Sequence, residues 1–314
     1  MNVVIKRYIS ELSQDWSTVL ASSRNGIFLF DRKYIEYHSS RFIDFSAVAY
    51  LDGEPVALFP ASIDLASFHA SSHAGLTFGG IVLKRELRGD VAIILINALL
   101  DSLKDWGAKT LTIKLMPQVF CTYPSSDVDY ALWRRGFTLV RRDLSSILPL
   151  SNSLHLNKTK LQAVRKAKKA GLAVGTGNVR AFHPMLEQVL RTQHGVSPVH
   201  SLVEMEFLAL RFPDQIFIRG ATKDHDLLAG MLIFNYEHIW HTQYLASSEL
   251  GRAHGALDLV MESVIDEARI KGVEYLSFGI STESAGMVLN AGLLLQKESY
   301  GARSIVHDFM EATL

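Results

Sequence analysis

Cysteine is almost absent from this chain. Cys121 is the only one in 314 residues, so no disulfide can close within it, which suits a reducing compartment. Neither charge is in excess: 32 basic residues stand against 32 acidic ones. A surface built throughout to grip nucleic acid is excluded, and only a local basic patch is compatible with that balance. Long hydrophobic runs are missing too. The longest, VAIILINALL, is too short to cross a bilayer. The N-terminal MNVVIKRYISELSQDW places charges where a signal peptide would be apolar. The expected location is the cytoplasm, without membrane insertion. No G-x-S-x-G, Walker A or G-x-G-x-x-G motif occurs, and the GTG at Gly175–Gly177 is too short to count. The histidine pairs His69/His73 and His238/His241 lack a third ligand or a cysteine cluster, so no metal is expected.

What is present is enough apolar sequence for a core, 48% hydrophobic against 20% charged. At roughly 100–200 residues per domain, the length suggests two. Strand patterns, a helix, a strand, a short helix and a strand recur in both halves, which predicts a mixed α/β sheet with helices on both faces. FSAVAYLDGEPVALFPASI reads as a hairpin turning at Asp52-Gly53, and GLTFGGIVL as a further strand. A helix follows from about Asp90, its expected N-cap, to Trp106. In the second half, QIFIRGATK, LLAGMLIFNY and the polar strand give three strands. A helix spans about Gly255 to Lys271, YLSFGIS is a strand, AGMVLNAG a short helix and SIVHDFMEA a strand. DWGAKTLTIK matches IKGVEYLSFG, and RRGFTLVRRD matches NAGLLLQKES, roughly 160 residues apart, the mark of a duplicated domain rather than a solenoid. The polar stretch LSNSLHLNKTK sets the expected domains at 1–152 and 153–314.

One strand has unusual chemistry. WHTQYLAS carries His241, Thr242, Gln243 and Tyr244 in succession, where a strand covered on both faces would be Val, Ile and Leu. Simple alternation puts His241 and Gln243 on one face and Thr242 and Tyr244 on the other. A bulge here would turn extra residues to one side and leave a backbone N–H unpaired, a candidate oxyanion donor. An internal polar network is the alternative. Glu283 lies past the end of the next strand, where open α/β sheets bind ligands, and is either a proton acceptor or part of a helix cap. Gly251, Arg252 and Gly255 precede a helix and suit an anion such as a pyrophosphate. Lys158–Gly171 is a dense basic run, with Arg165 and Lys168 among its charges. It reads as a phosphate-binding surface or a solvated helix face.

Several stretches together resemble the Fem-type (FemABX-like) acyltransferases, which carry two domains of the GCN5-related N-acetyltransferase (GNAT) fold in one chain. They are SSHAGLTFGGIVL, RKAKKAGLAV, HGVSPVHSLVEMEFLALRFPDQIFIRGA, HTQYLASS, YLSFGISTESAG and LNAGLLLQKESYGARSIVHDFME, covering most of 71–90 and 158–311. The resemblance extends to a branch associated with bacterial surface-polysaccharide loci. It implies two tandem GNAT-fold domains and acyl transfer to a primary amine in a cleft between two splayed strands, here those of HTQYLAS and SFGIST. It implies His241 or Glu283 as base and Tyr244 as proton donor. Substrate contacts would come from Gln243, Thr242, His194, His200, Arg165, Lys168 and Asn290. The expected donor is acyl-CoA at Gly251, Arg252 and Gly255, although RAHGAL has Leu257 at the last small position of the Q/R-x-x-G-x-G/A signature. Aminoacyl-tRNA is the alternative donor, and the expected acceptor is a nucleotide-linked amino sugar. A second reading, from another class, is a non-catalytic module holding a nucleotide or RNA on the basic run.

Overall fold

The computed structural model describes residues 1–151 and 155–314, and of His194 the backbone only. The domain boundary expected at 152/153 lies outside the described residues. The chain forms two compact units. The first holds Met1–Asp143, Ala285–Met287 and Val306–Leu314, and the second Leu144–Ser284 and Val288–Ile305.

In chain order the early elements are β1 (Val3–Arg7), α1 (Ser13–Ala21), α2 (Arg32–Ile35), β2 (Ile43–Asp44), β3 (Ala47–Leu51), β4 (Glu54–Phe59), β5 (Ser62–Asp64), β6 (His69–Ser71) and β7 (Val82–Leu83). Then come α3 (Gly89–Asp105), β8 (Thr110–Lys114), α4 (Asp127–Arg134) and β9 (Thr138–Pro149). The later half runs α5 (Lys158–Lys169), β10 (Ala173–Thr176), α6 (Val179–His194), α7 (Leu202–Arg211), β11 (Ile216–Lys223), β12 (Asp226–Asn235) and β13 (Ile239–Ser247). It continues with α8 (Glu249–His254), α9 (Ala256–Ile270), β14 (Tyr275–Ile280), β15 (Thr282–Glu283), β16 (Val288–Leu289), α10 (Ala291–Glu298) and β17 (Arg303–Thr313).

The first unit sets β1-β3-β4-β7 in one sheet and β2-β5-β6-β8-β17 in another. The hairpin β3–β4 turns through Asp52 and Gly53, both at positive φ, as a tight Asp-Gly turn requires. The apolar face of α3, Leu95, Ile96, Leu99, Leu100 and Leu103, packs with Ala57, Phe59 and Ile113. The N-cap of α3 is Arg88, and Asp90 sits in its first turn instead, where its charge still favours the helix dipole. GLTFGGIVL does not form one strand. Only Val82 and Leu83 pair, because the preceding loop folds back around Lys114. Its ammonium donates to the carbonyls of His73, Ala74 and Leu76 at 3.3, 3.1 and 2.6 Å. Gly79 has no room for a side chain there, since a Cβ would lie 2.4 Å from the Ser72 carbonyl.

The second unit orders its strands β10-β11-β12-β13-β14-β9. Its core joins α9 (Val260, Met261, Val264, Ile265) to Met231, Ile233, Trp240 and Leu276, and Val164 and Ala167 of α5 belong to the same cluster. AGMVLNAG is a hairpin rather than a helix: Ser284, Ala285 and Gly286 all take positive φ, which no helix tolerates, and α10 begins only after Asn290. The two halves repeat at one offset. Gly107 and Gly272 both follow a helix at positive φ, as do Gly136 and Gly301. RRGFTLVRRD therefore corresponds to the start of β17, and NAGLLLQKES to the helix before it.

Candidate active site

β13, the polar strand, has two unlike neighbours. It runs antiparallel to β12 with one slip: Leu232 faces Tyr244 and Ile233 faces Thr242, so Gln243 is an extra residue with no partner opposite. That is a bulge. With β14 it is parallel, and the pairing comprises only Ile239–Tyr275, Trp240–Leu276 and His241–Ser277. β14 slips too, since Ser277 faces Ile147 and Gly279 faces Ser146, leaving Phe278 extra. The two strands thus begin side by side and part at His241 and Ser277, with a bulge in each just past the fork.

The bulge corrects the faces expected from alternation. His241 pairs with Phe234 and Tyr244 with Leu232, residues two apart on β12, so His241 and Tyr244 share a face. Thr242, opposite Ile233, takes the other. His241 is buried and its Nδ1 meets Ser277 Oγ at 3.0 Å, bracing the last rung before the fork. Across the gap, Gly279 holds φ +70, and its missing side chain would lie 3.5 Å from His241 Cε1. Glycine is required there by conformation rather than space.

Tyr244 OH lies 2.8 Å from His200 Nδ1. His200 is in the connection between α6 and α7, which is fixed from both sides. His183 Nε2 of α6 meets the His200 carbonyl at 3.0 Å, and Ser201 and Glu204 form a capping box at the start of α7. Burial raises the Tyr244 pKa, while the Gln243 amide and the backbone N–H groups of His200 and Val199 act on the phenol oxygen in the opposite sense. The phenol therefore stays protonated in neutral solution. Among the described residues, Thr242 Oγ1, Gln243 Oε1, Ser146 Oγ and Ser281 Oγ are buried and lack a hydrogen-bond partner. Thr242 and Gln243 lie on β13, Ser146 on β9 and Ser281 just past the end of β14, and buried polar atoms rarely go unsatisfied.

One residue of the fork gave no sign in the sequence. Lys297 of α10 is 6% exposed, and its ammonium donates to the carbonyls of Gly279 and Ile280 at 2.8 and 2.5 Å. Burial pulls its pKa down to about 8. α10 turns Leu295 outward, 68% exposed, and Lys297 inward, a phase that only the packing of the helix sets.

The other expected site residues gather elsewhere. Glu283 is exposed on β15, where its Oε1 accepts from Asn290 Nδ2 at 2.7 Å, and Asn290 caps α10 through Leu293 N. The donors of the glycine loop are already used. Gly251 N donates to Ser248 Oγ, Gly255 N to the Arg252 carbonyl, and Arg252 Nη1 to the Ser247 carbonyl. α5 packs against the start of α9: a Cβ on Gly255 would stand 2.6 Å from the Ala163 carbonyl, and Lys160 and Tyr300 both bond Asp258 in the first turn. Lys168 pairs with Glu262, which leaves Lys158, Arg165, Lys166 and Lys169 exposed on the outer side of α5. The side chain of His194 lies outside the described residues. No group of three or more metal-ligating side chains occurs among the described residues, and no helix there is long and apolar enough to cross a membrane.

No family model and no curated protein matches the chain. Solved structures do. FemX superposes over 100% of this chain and 98% of its own with a TM-score of 0.70 at 15% identity. The C-terminal domain of a putative lysylphosphatidylglycerol synthetase from Agrobacterium fabrum covers 96% of this chain and 91% of its own, TM-score 0.61 at 10% identity. A tandem GNAT protein from the clavulanic acid biosynthesis pathway covers 99% and 98%, TM-score 0.52 at 12% identity. The chain has the tandem GNAT fold.

Proposed function

We propose that the protein transfers an acyl group from an activated ester or thioester to a primary amine at the fork between β13 and β14. The observation that carries this reading is the fork itself: a parallel pair that ends at His241–Ser277, with an extra residue in each strand just beyond it. A carbonyl between the strands would meet backbone N–H groups turned out of the ladder, the arrangement that stabilises an oxyanion, and such preorganised donors are the largest single source of rate in acyl transfer. The Lys297 ammonium adds positive charge at the end of β14. The amine nitrogen adds to the carbonyl carbon, the bond to the leaving oxygen or sulfur breaks, and that atom takes a proton. Tyr244, protonated and half-buried on the face it shares with His241, is the proposed proton donor.

For the donor, aminoacyl-tRNA is favoured over acyl-CoA. The loop expected to cradle a pyrophosphate spends its donors internally, and α5 covers the start of α9. The exposed cations of α5 suit a phosphodiester backbone. Aminoacyl-tRNA is the alternative donor that the Fem-type resemblance admits. The acceptor is a primary amine, and a nucleotide-linked amino sugar of a surface-glycan precursor is the first to test.

The experiment is amide formation from bulk tRNA charged with labelled amino acids, against acetyl-CoA, with UDP-glucosamine and a panel of simple primary amines. Labelled amide from charged tRNA is expected. Amide from acetyl-CoA alone, with a melting shift that free ADP does not reproduce, would return the donor to acyl-CoA. Retention of charged tRNA without turnover of any amine would leave a binding module.

A further inference from the structure

We propose that His200 is the proton-relay partner of Tyr244, a positioning residue that takes the proton Tyr244 must shed and hands it back within one turnover. The inference rests on the acyl-transfer reading and deepens it.

Geometry makes the case. The phenol oxygen has His200 Nδ1 at 2.8 Å. The Gln243 amide and the backbone N–H groups of Val199 and His200 act on the same oxygen. A phenol with a ring nitrogen 2.8 Å from its oxygen is set to pass its hydrogen on while receiving another. The bulge at Gln243 is what turns Tyr244 to the face of His241. His200 is held without help from the substrate: His183 fixes its carbonyl at 3.0 Å, and the Ser201–Glu204 capping box fixes the residue that follows. A ring that needed only to fill space would not need its backbone anchored on both sides.

The step balances. The amine lone pair forms the C–N bond while the carbonyl π pair moves to oxygen. An N–H proton of the resulting ammonium passes to Tyr244 Oη as the phenol proton passes to His200 Nδ1, which makes the imidazole an imidazolium. On collapse the C–O bond to the leaving ribose oxygen breaks with its electron pair. That oxygen takes its proton from Tyr244, which recovers one from His200. The enzyme ends as it began and needs no further reactant.

The relay requires His200 neutral at the start of the cycle. Among the described residues, the titratable groups that face it are Tyr244 on β13, His183 on α6 and Glu204 on α7. Activity should therefore fall as His200 gains a proton on the acid side.

The test measures kcat and KM against pH for the wild type, His200→Ala and His200→Gln, with charged tRNA and the best amine of the panel. His200→Ala is expected to lose roughly 100-fold or more in kcat with KM little changed, as for other general acid–base groups. It should lose the acid limb and recover with added imidazole. A kcat within about threefold of wild type, or a loss equal at every pH and deaf to imidazole at unchanged melting temperature, overturns the relay. Should His200→Ala fail to fold, rates of the wild type in mixtures of light and heavy water decide: a bowed dependence marks two protons in flight, and a straight line overturns the proposal. A wild type that turns over no amine removes the acyl-transfer reading and the relay together. A fully active His200→Gln removes the relay alone.

Discussion

His241 and Tyr244 occupy the same face of one strand although they are three residues apart. Their partners on β12, Phe234 and Leu232, are two apart, and the bulge at Gln243 makes up the difference. A one-residue slip moves every later side chain to the opposite face.

Inserting one alanine between Leu232 and Ile233 of β12 should therefore give Gln243 a partner, restore simple alternation and put Tyr244 on the face opposite His241, away from His200. The variant is expected to fold, with turnover down by about 100-fold, the lower range for a lost acid–base group. Circular dichroism with a turnover assay checks this. Retained activity with native melting would show that the shared face does not matter.

Tyr244 and Glu283 offer competing proton carriers, and the structure separates them. Tyr244→Phe should lower kcat by about 100- to 10,000-fold while costing about 0.5–1.5 kcal/mol of stability for one partly buried hydrogen bond. Glu283→Gln, at an exposed carboxylate bonded to Asn290, should keep kcat within a few-fold. The reverse order of effects would move the chemistry to β15.

Lys297 sets a limit on the alkaline side. With its pKa drawn down to about 8, its charge disappears as pH rises through that value. If the ammonium supports the oxyanion, kcat falls above about pH 8, and Lys297→Arg, which stays charged, abolishes that limb. Stability moves the other way. The folded state disfavours the charged lysine, so this group costs stability most below pH 8 and less as pH rises towards the unfolded value. Urea melts of wild type and Lys297→Met from pH 7 to 10 should converge.

Buried histidines should govern acid unfolding of the first unit. Burial pulls His73 down to about 3 and His307 down to about 4. Both folded values lie below the unfolded one, so the stability they contribute is intact above about pH 6.5 and is lost as pH falls towards 4 and then 3. His307→Gln should flatten that slope in a pH series of thermal melts.

The outer side of α5 should act through binding alone. Charge reversal at Arg165 and Lys169 should raise KM for charged tRNA and flatten its salt dependence, by about one unit of log–log slope for each phosphate no longer neutralised. The rate at saturation should stay within a few-fold of wild type. An unchanged KM over a range of salt would leave α5 as a solvated helix face.

Much of this arrangement was legible in the chain. Residues 240–247 stood out by polarity, and a bulge was one of two expectations for them, beside an internal polar network. Asp52-Gly53 fixed a hairpin through local conformation alone. What was hidden depended on partners far away in sequence. The faces of Tyr244 and Thr242 hang on which residue of β12 each meets. GLTFGGIVL has strand composition, but Lys114, more than thirty residues on, draws its first half into a loop. The glycines before α9 look like an anion loop until α5 is seen against them. AGMVLNAG lost its helix to three left-handed residues whose need for such a turn no periodicity reveals.

The rotation of α10 has a consequence at the surface. Turning Lys297 inward puts Leu295, two residues earlier and nearly opposite on the helix, outward at 68% exposed, and Leu289 is half exposed nearby in sequence. The geometry that stores the ammonium thus also puts an apolar side chain at the surface. Leu295 is where solubility is open to adjustment by a polar substitution without moving the lysine.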